Sequence, residues 1–187
     1  RLSVFRNDGE GGFAPWDSPA LRPPITRDQT GVLGWRNPAG HPVVLVGSAN
    51  YEDGLASGPI VRQFNLSTGT IDDSLPPAQA STGPLALADV DADGDLDLFV
   101  GGRVLPGRYP VAASSRLFRS DGGRFVSDAE ASRLFANVGL VSGAVFSDLD
   151  GDGFPELVLA CEWGPLRVFR NDHGRWLPWN PPVRLPN

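Results

Sequence analysis

The sequence lacks several residues on which whole classes of function depend. It contains no lysine and no methionine, and it has one cysteine and two histidines among 187 residues. Because Cys161 stands alone, no disulfide can form within the chain. No run of 18 apolar residues occurs, so the sequence predicts no membrane-spanning helix.

The negative charge of the chain is concentrated in two short segments. All sixteen basic residues are arginine, and twenty-two acidic residues give a formal net charge of −6. Nine of the acids lie within residues 89–97 and 148–156, which leaves thirteen acids against sixteen arginines elsewhere. The acidity is therefore a property of these segments and does not indicate a basic partner, and nothing supports a nucleic-acid partner.

These two segments share a nine-residue pattern with carboxylates at positions 1, 3, 5 and 9 and glycine at position 6. The first segment supplies the acids Asp89, Asp91, Asp93, Asp95 and Asp97 around Gly94. The second supplies Asp148, Asp150, Asp152 and Glu156 around Gly153. So many like charges repel at close range unless a cation neutralises them. Calcium suits such a loop better than magnesium, because it accepts six to eight oxygen ligands in tolerant geometry. The alternative is a pair of solvated acidic turns.

An EF-hand is excluded by the flanking residues. That loop requires a glutamate at position 12 and a helix on each side, whereas position 12 here is Val100 or Leu159. Short apolar runs at 96–100 and 157–160 follow the loops and are typical of buried strands. Both loops are therefore predicted to connect strands.

A longer repeat underlies the loops. The string Val4-Phe-Arg-Asn-Asp-Gly9 returns in altered form at 117–122 and 168–172, with a worn copy at 63–66. The phenylalanines of the four copies are spaced by 59, 54 and 51 residues. Each copy predicts a β-hairpin, so one repeat contains four strands, the size of a propeller blade. A shift of 54 residues places Trp35, Asn37, Ala39 and Val43 where carboxylates stand in the first loop, so we expect no metal at 35–43.

The motifs Asp-Val-Asp-Ala-Asp-Gly-Asp-Leu-Asp at 89–97 and Phe-Ser-Asp-Leu-Asp-Gly-Asp-Gly at 146–153 resemble FG-GAP repeats, which overlap the repeats called VCBS. They are also similar to the calcium-binding blades of the integrin α-subunit propeller. The resemblance implies a loop between the two inner strands of a blade, with calcium held by side chains at positions 1, 3, 5 and 9 and by the carbonyl of position 7. It implies two calcium sites: Asp89, Asp91, Asp93, Asp97 and the carbonyl of Asp95; then Asp148, Asp150, Asp152, Glu156 and the carbonyl of Phe154.

The predicted fold is all-β, made of propeller blades of four antiparallel strands. The expected units are the outer half of a blade at 1–22, a blade with the degenerate loop at 25–80, and calcium-binding blades at 81–136 and 138–182. Closed propellers usually have four to eight blades. About three and a half repeats therefore predict a segment whose remaining blades belong to a longer chain.

Catalysis is not expected, because titratable side chains outside the loops are scattered. His41 and His173 adjoin turn residues in different repeats, and Cys161 is interpreted as a small buried hydrophobe. Calcium with five protein ligands leaves little open coordination for Lewis-acid chemistry. The tryptophans Trp35 and Trp163, at loop or strand ends, could instead stack on a sugar ring or anchor a protein.

The expected function is therefore a calcium-stabilised scaffold for protein or carbohydrate recognition or adhesion, extracellular, secreted or on the cell surface. The location is implied by the resemblance and by the millimolar calcium outside cells, at which weak sites stay filled. The alternative is the non-catalytic propeller part of a secreted enzyme, such as one that degrades polysaccharides.

Overall fold

The computed structural model describes residues 2–51, 57–73 and 75–181, and these residues form antiparallel β-sheets with one short helix. Strands β1 (Phe5–Asn7) and β2 (Phe13–Pro15) make a two-stranded hairpin, which a 3₁₀ turn at Pro19–Leu21 follows. The prediction of an all-β protein is confirmed.

Three four-stranded sheets follow the hairpin, and each has its strands in chain order. Sheet A contains β3 (Gln29–Arg36), β4 (Pro42–Ser48), β5 (Val61–Asn65) and β6 (Ile71–Asp72). Sheet B contains β7 (Ser81–Ala88), β8 (Asp97–Val104), β9 (Arg116–Asp121) and β10 (Arg124–Ser127). Sheet C contains β11 (Leu140–Ser147), β12 (Glu156–Glu162), β13 (Arg167–Asp172) and β14 (Arg175–Trp179).

Alternation along the strands explains why the sheets stack. Successive side chains of a strand point to opposite faces of a sheet, so β8 directs Leu98 and Val100 into the core shared with sheet A and Phe99 into the core shared with sheet C. On sheet A, Val44 and Val46 pack instead in a core with the 3₁₀ turn and with residues that flank the β1–β2 hairpin, such as Val4 and Trp16. Strand β7 contacts both β3 and β11, so the first strands of the three sheets lie beside one another.

A short helix, α1 (Ala129–Phe135), fills the junction between sheets B and C. Its N-terminus is capped by Asp128, whose side chain accepts a hydrogen bond from the backbone N–H of Ala131. Phe135 is buried, and its ring meets Phe99, Phe169 and Trp176 edge-on at centroid distances of 5.7, 4.9 and 5.8 Å. The repeat pattern predicted only strands here, so the helix is an addition to the expected architecture.

One register prediction needs correction. In sheet A, Val43 pairs with Trp35, whereas in sheet B the equivalent Asp97 pairs with Ala88. Trp35 therefore corresponds to Ala88, not to Asp89 as the constant shift of 54 residues implied. The shift holds along the strands, but the connection between β3 and β4 is one residue shorter than the acidic loop. In addition, none of the described helices is long and apolar enough to cross a membrane.

Candidate metal centre

The two acidic segments occupy the same place in neighbouring sheets. The first, called loop 1 (89–97), joins the first two strands of sheet B and includes the first residue of β8. The second, called loop 2 (148–156), joins the first two strands of sheet C and includes the first residue of β12. Both loops therefore lie at the same end of their sheets, between paired antiparallel strands.

Each loop brings three carboxylates together. Asp89, Asp91 and Asp97 each offer an oxygen, and these oxygens lie within 4.8 Å of one another. Asp148, Asp150 and Glu156 do the same in loop 2. Two oxygens on opposite sides of a calcium ion lie about 5 Å apart, because calcium–oxygen distances are 2.3–2.6 Å. Positions 1, 3 and 9 of each loop could therefore contact one ion.

The acid at position 9 is buried in both loops and held by backbone amides. The N–H of Val90 donates to Asp97 Oδ2 at 3.1 Å, and the N–H of Ser120 donates to Oδ1 at 2.8 Å. Burial raises the pKa of Asp97, and the bonds from Ser120 and Val90 and the charge of Arg119 only partly offset this effect. This carboxylate ties the loop to the third strand of its own sheet.

Glu156 takes the same position in loop 2 despite its extra methylene. Its Oε2 accepts from the N–H of Leu149 at 2.7 Å and its Oε1 from the N–H of Asn171 at 3.4 Å. The two amide donors correspond to Val90 and Ser120, which donate to Asp97 in sheet B. The substitution of Glu for Asp therefore preserves the connection, with a longer bond to the third strand.

The acid at position 1 distinguishes the loops. Asp148 accepts from the N–H of Gly151 at 2.8 Å and from that of Gly153 at 3.1 Å, so both of its oxygens are engaged. Within the part of the chain that the structure describes, Asp89 accepts only from Gly94, at 2.9 Å through Oδ2, and its buried Oδ1 has no hydrogen-bond partner. A buried carboxylate oxygen without a partner is costly. A cation at loop 1 would satisfy it.

The side chains at position 5 lie outside both clusters. Asp93 Oδ1 accepts from the N–H of Asp95 at 2.8 Å, and Asp152 Oδ1 accepts from the N–H of Phe154 at 2.8 Å. Each closes a turn within its own loop. The side chains of Asp95 and Phe154 are also outside the clusters, and the Phe154 ring packs on His173 at a centroid distance of 4.3 Å.

Both loops need left-handed backbone at two positions. At position 6, Gly94 has φ of 93° and Gly153 has φ of 91°, which favours glycine as the sequence predicted. At position 4 the conformation is also left-handed, but loop 1 carries Ala92 with φ of 62° where loop 2 carries Gly151 with φ of 81°. Loop 1 therefore includes a strained residue that loop 2 avoids, which spacing alone did not predict.

Each cluster is also contacted by an arginine that the sequence pattern did not identify as part of the site. Arg119 Nη1 lies 3.2 Å from Asp91 Oδ2 and 3.4 Å from Asp97 Oδ2. Arg170, at the equivalent position of sheet C, places Nη2 2.7 Å from Asp150 Oδ2. Both belong to the repeated Phe-Arg string, which was the available signal. Each guanidinium partly neutralises the negative charge of its loop. A bound cation would therefore either share the carboxylates with the arginine or displace the arginine from them.

Loop 1 is also held by the neighbouring sheet. Asn171 Nδ2 donates to the Val90 carbonyl at 2.7 Å, and Arg119 Nη2 donates to the Gly174 carbonyl at 2.7 Å. Asn171 is fully buried, and its Oδ1 accepts from the N–H of Gly174 at 2.7 Å. The turn between β13 and β14 of sheet C thus clasps the loop of sheet B.

The two tryptophans at strand or loop ends have different environments. Trp35 is buried and packs on Phe125 at a centroid distance of 5.4 Å, so it belongs to the core. Trp163 is 85% exposed. Of the two tryptophans that were expected to offer a ring for binding, only Trp163 is therefore exposed.

No known family model matches the chain, and no curated protein is significantly similar to it.

Proposed function

We propose that this chain is a calcium-stabilised β-propeller repeat module that acts outside the cell as a scaffold for recognition. Three consecutive four-stranded antiparallel sheets, with their first strands side by side, support the architecture. The FG-GAP-like motifs lie in the loops that join the first two strands of two sheets. That placement matches the one that the resemblance implies.

The observation that carries the calcium proposal is the geometry of position 1 in loop 1. Among the described residues, Asp89 Oδ1 is buried without a hydrogen-bond partner. Asp89 also offers a carboxylate oxygen that lies within 4.8 Å of carboxylate oxygens of Asp91 and Asp97. Three carboxylates in one cluster suit calcium, which prefers oxygen ligands. A bound ion would join loop 1 to the start of β8, since Asp97 already anchors that strand to β9.

Thermal unfolding tests the calcium proposal on the 187-residue chain. Calcium at about 100 times its dissociation constant adds roughly 2.7 kcal/mol per site, which for a chain of this size is a rise in Tm of about 5–10 °C for each filled site. We expect this rise in millimolar calcium relative to a chelator. Asp91→Asn combined with Asp150→Asn should abolish it, while Asp17→Asn, which removes an exposed carboxylate elsewhere, should preserve it.

Two results contradict this proposal. An unchanged Tm in calcium would remove the metal site, and an equal rise with magnesium would remove the choice of ion. Asp91 and Asp150 are suitable positions because neither is the buried acid at position 9, so their replacement leaves the anchors Asp97 and Glu156 intact.

A further inference from the structure

A second group of polar and aromatic side chains lies at the other end of the sheets from the acidic loops. Strand β12 begins at Glu156 in loop 2 and ends at Glu162, next to Trp163. Six residues of extended strand span about 20 Å, so this group is remote from loop 2. It lies beside a cleft of about 340 Å³ whose lining includes Pro110, Cys161 and Arg167.

Trp163 is held with its ring open to solvent. Its φ of 58° is left-handed, a conformation that costs a residue with a Cβ about 1–2 kcal/mol. Its indole Nε1 donates to Tyr109 Oη and, at 3.1 Å, to Glu162 Oε1. Because the polar edge of the indole is engaged, the ring is fixed and its apolar face remains available for stacking. A strained, exposed and anchored aromatic residue indicates a ligand contact.

The charges around the cleft favour an acidic ligand over a cationic one. Glu162 Oε2 lies 2.5 Å from Arg103 Nη1, and Oε1 accepts from Tyr109 Oη at 2.8 Å. Both contacts lower the pKa of Glu162. The hydrogen bond from Tyr109 has the larger effect, and the contact with Arg103 has the next largest. Arg103 thus balances Glu162, and within the described part of the chain no hydrogen bond or ion pair engages the exposed guanidinium of Arg167. Glu162, Arg103 and Arg167 together therefore carry a net charge of +1.

We propose that this cleft binds a saccharide that carries a carboxylate group. The apolar face of a sugar ring stacks on Trp163, one of its hydroxyls donates to Glu162, and its acidic group pairs with Arg167. Guanidinium binds carboxylate and sulfate oxygens through two parallel N–H donors. The volume of the cleft is at the lower end of small-ligand sites. The inference rests on the proposed recognition function and names its ligand class.

Calorimetric titration at saturating calcium tests the site with two probes. The acidic probe is a tetrasaccharide of alternating glucuronic acid and N-acetylglucosamine, and the neutral probe is a tetrasaccharide of N-acetylglucosamine. We expect the acidic probe to bind at least tenfold more tightly. Trp163→Ala should weaken its binding at least tenfold, Trp163→Phe should retain most of it, and Arg167→Gln should remove the preference for the acidic probe.

Phe13→Ala provides the matched control, because Phe13 is an exposed aromatic residue of β2, outside the cleft. Its binding should equal that of the unmodified chain. No binding of the acidic probe at millimolar concentration, unchanged binding by Trp163→Ala, or equal affinity for the neutral probe would each overturn the site. The calcium-dependent rise in Tm, measured on the same samples, separates this outcome from failure of the calcium proposal.

Discussion

Loop 1 and loop 2 have nearly the same acidic pattern but different surroundings. Val90, at position 2 of loop 1, is 0% exposed, whereas its counterpart Leu149 is 47% exposed. Loop 1 lies at the junction of sheets B and C and is clasped by Asn171. Loop 2 belongs to sheet C, whose far face exposes Val145 and Leu177. The same nine-residue motif is therefore a junction element in one place and a surface element in the other.

The arginines that contact the two loops also differ in how deeply they are buried. Arg119 has a side chain that is 20% exposed, and it contacts Asp128 and the Gly174 carbonyl as well as loop 1. Arg170 is 47% exposed, and its ion pairs in the described residues are with Asp150 and Asp152 of loop 2. Loop 1 is thus held in shape by the tertiary structure, and loop 2 chiefly by contacts within sheet C. Such preorganisation favours tighter cation binding at loop 1.

The largest expected effect comes from removing the clasp between sheets. Asn171→Ala leaves the buried Val90 carbonyl and the Gly174 N–H without partners, at a cost of about 1–3 kcal/mol each. We expect a loss of about 3 kcal/mol in the free energy of unfolding, measured by urea denaturation. Asn7→Ala is the control, because Asn7 Oδ1 accepts from the N–H of Gly9 two residues on, a turn bond at an exposed site. Equal losses in the two variants would contradict the role of Asn171 in holding loop 1.

The residues at position 2 provide the next test. Val90→Ala removes two methyl groups from a fully buried side chain and should destabilise the chain by about 2 kcal/mol. Leu149→Ala removes more atoms from a half-exposed side chain and should cost about 0.5 kcal/mol. Thermal or urea unfolding of both variants checks this order. A greater loss in Leu149→Ala would show that loop 2 is the more deeply packed.

Position 4 offers a reciprocal exchange. Ala92→Gly should relieve left-handed strain and stabilise loop 1 by about 0.5–1 kcal/mol, since the gain exceeds the added freedom of the unfolded chain. Gly151→Ala introduces the same strain into loop 2 and should cost about 1 kcal/mol, and a Cβ at Gly151 would meet no neighbouring atom. Chemical denaturation in the presence of a chelator measures both. Effects of the same sign would contradict the backbone interpretation.

The smallest effect concerns the arginine at loop 2. Because Arg170 is half-exposed and bonded to the loop acids, Arg170→Gln should remove a competitor and raise calcium affinity about two- to fivefold. Arg119→Gln should mainly reduce the stability of the fold, because this change also removes the contacts with Asp128 and with the Gly174 carbonyl. Calcium titration followed by intrinsic fluorescence gives the affinities. Lower affinity in Arg170→Gln would mean that this arginine supports the ligand geometry.

The sequence predicted what repeats and local patterns encode. Apolar runs bounded by turns placed strands on both sides of each loop, and the carboxylate spacing identified the acids at positions 1, 3 and 9 that the fold brings together. The pattern did not show that the side chains of Asp93 and Asp152 close turns within their loops, because closing a turn and binding an ion both call for Asp in an acidic loop.

The remaining features depend on tertiary contacts. The bond from Asn171 to Val90 joins residues 81 apart in sequence, so no local pattern indicates it. The strain at Ala92 and the one-residue shortening before β4 follow from backbone geometry, which residue spacing does not specify. The α1 helix depends on the gap between sheets B and C that Phe135 fills, although Asp128 before Ala129 was a usable capping signal.

The most direct test of the account is a calorimetric calcium titration of the 187-residue chain and two single variants. We expect two unequal sites in the unmodified chain, loss of the tighter site in Asp91→Asn and loss of the weaker site in Asp150→Asn. The fold should persist in both variants, because the buried anchors Asp97 and Glu156 are unchanged. Loss of the tighter site in Asp150→Asn, or no calcium binding by the unmodified chain, would contradict the account.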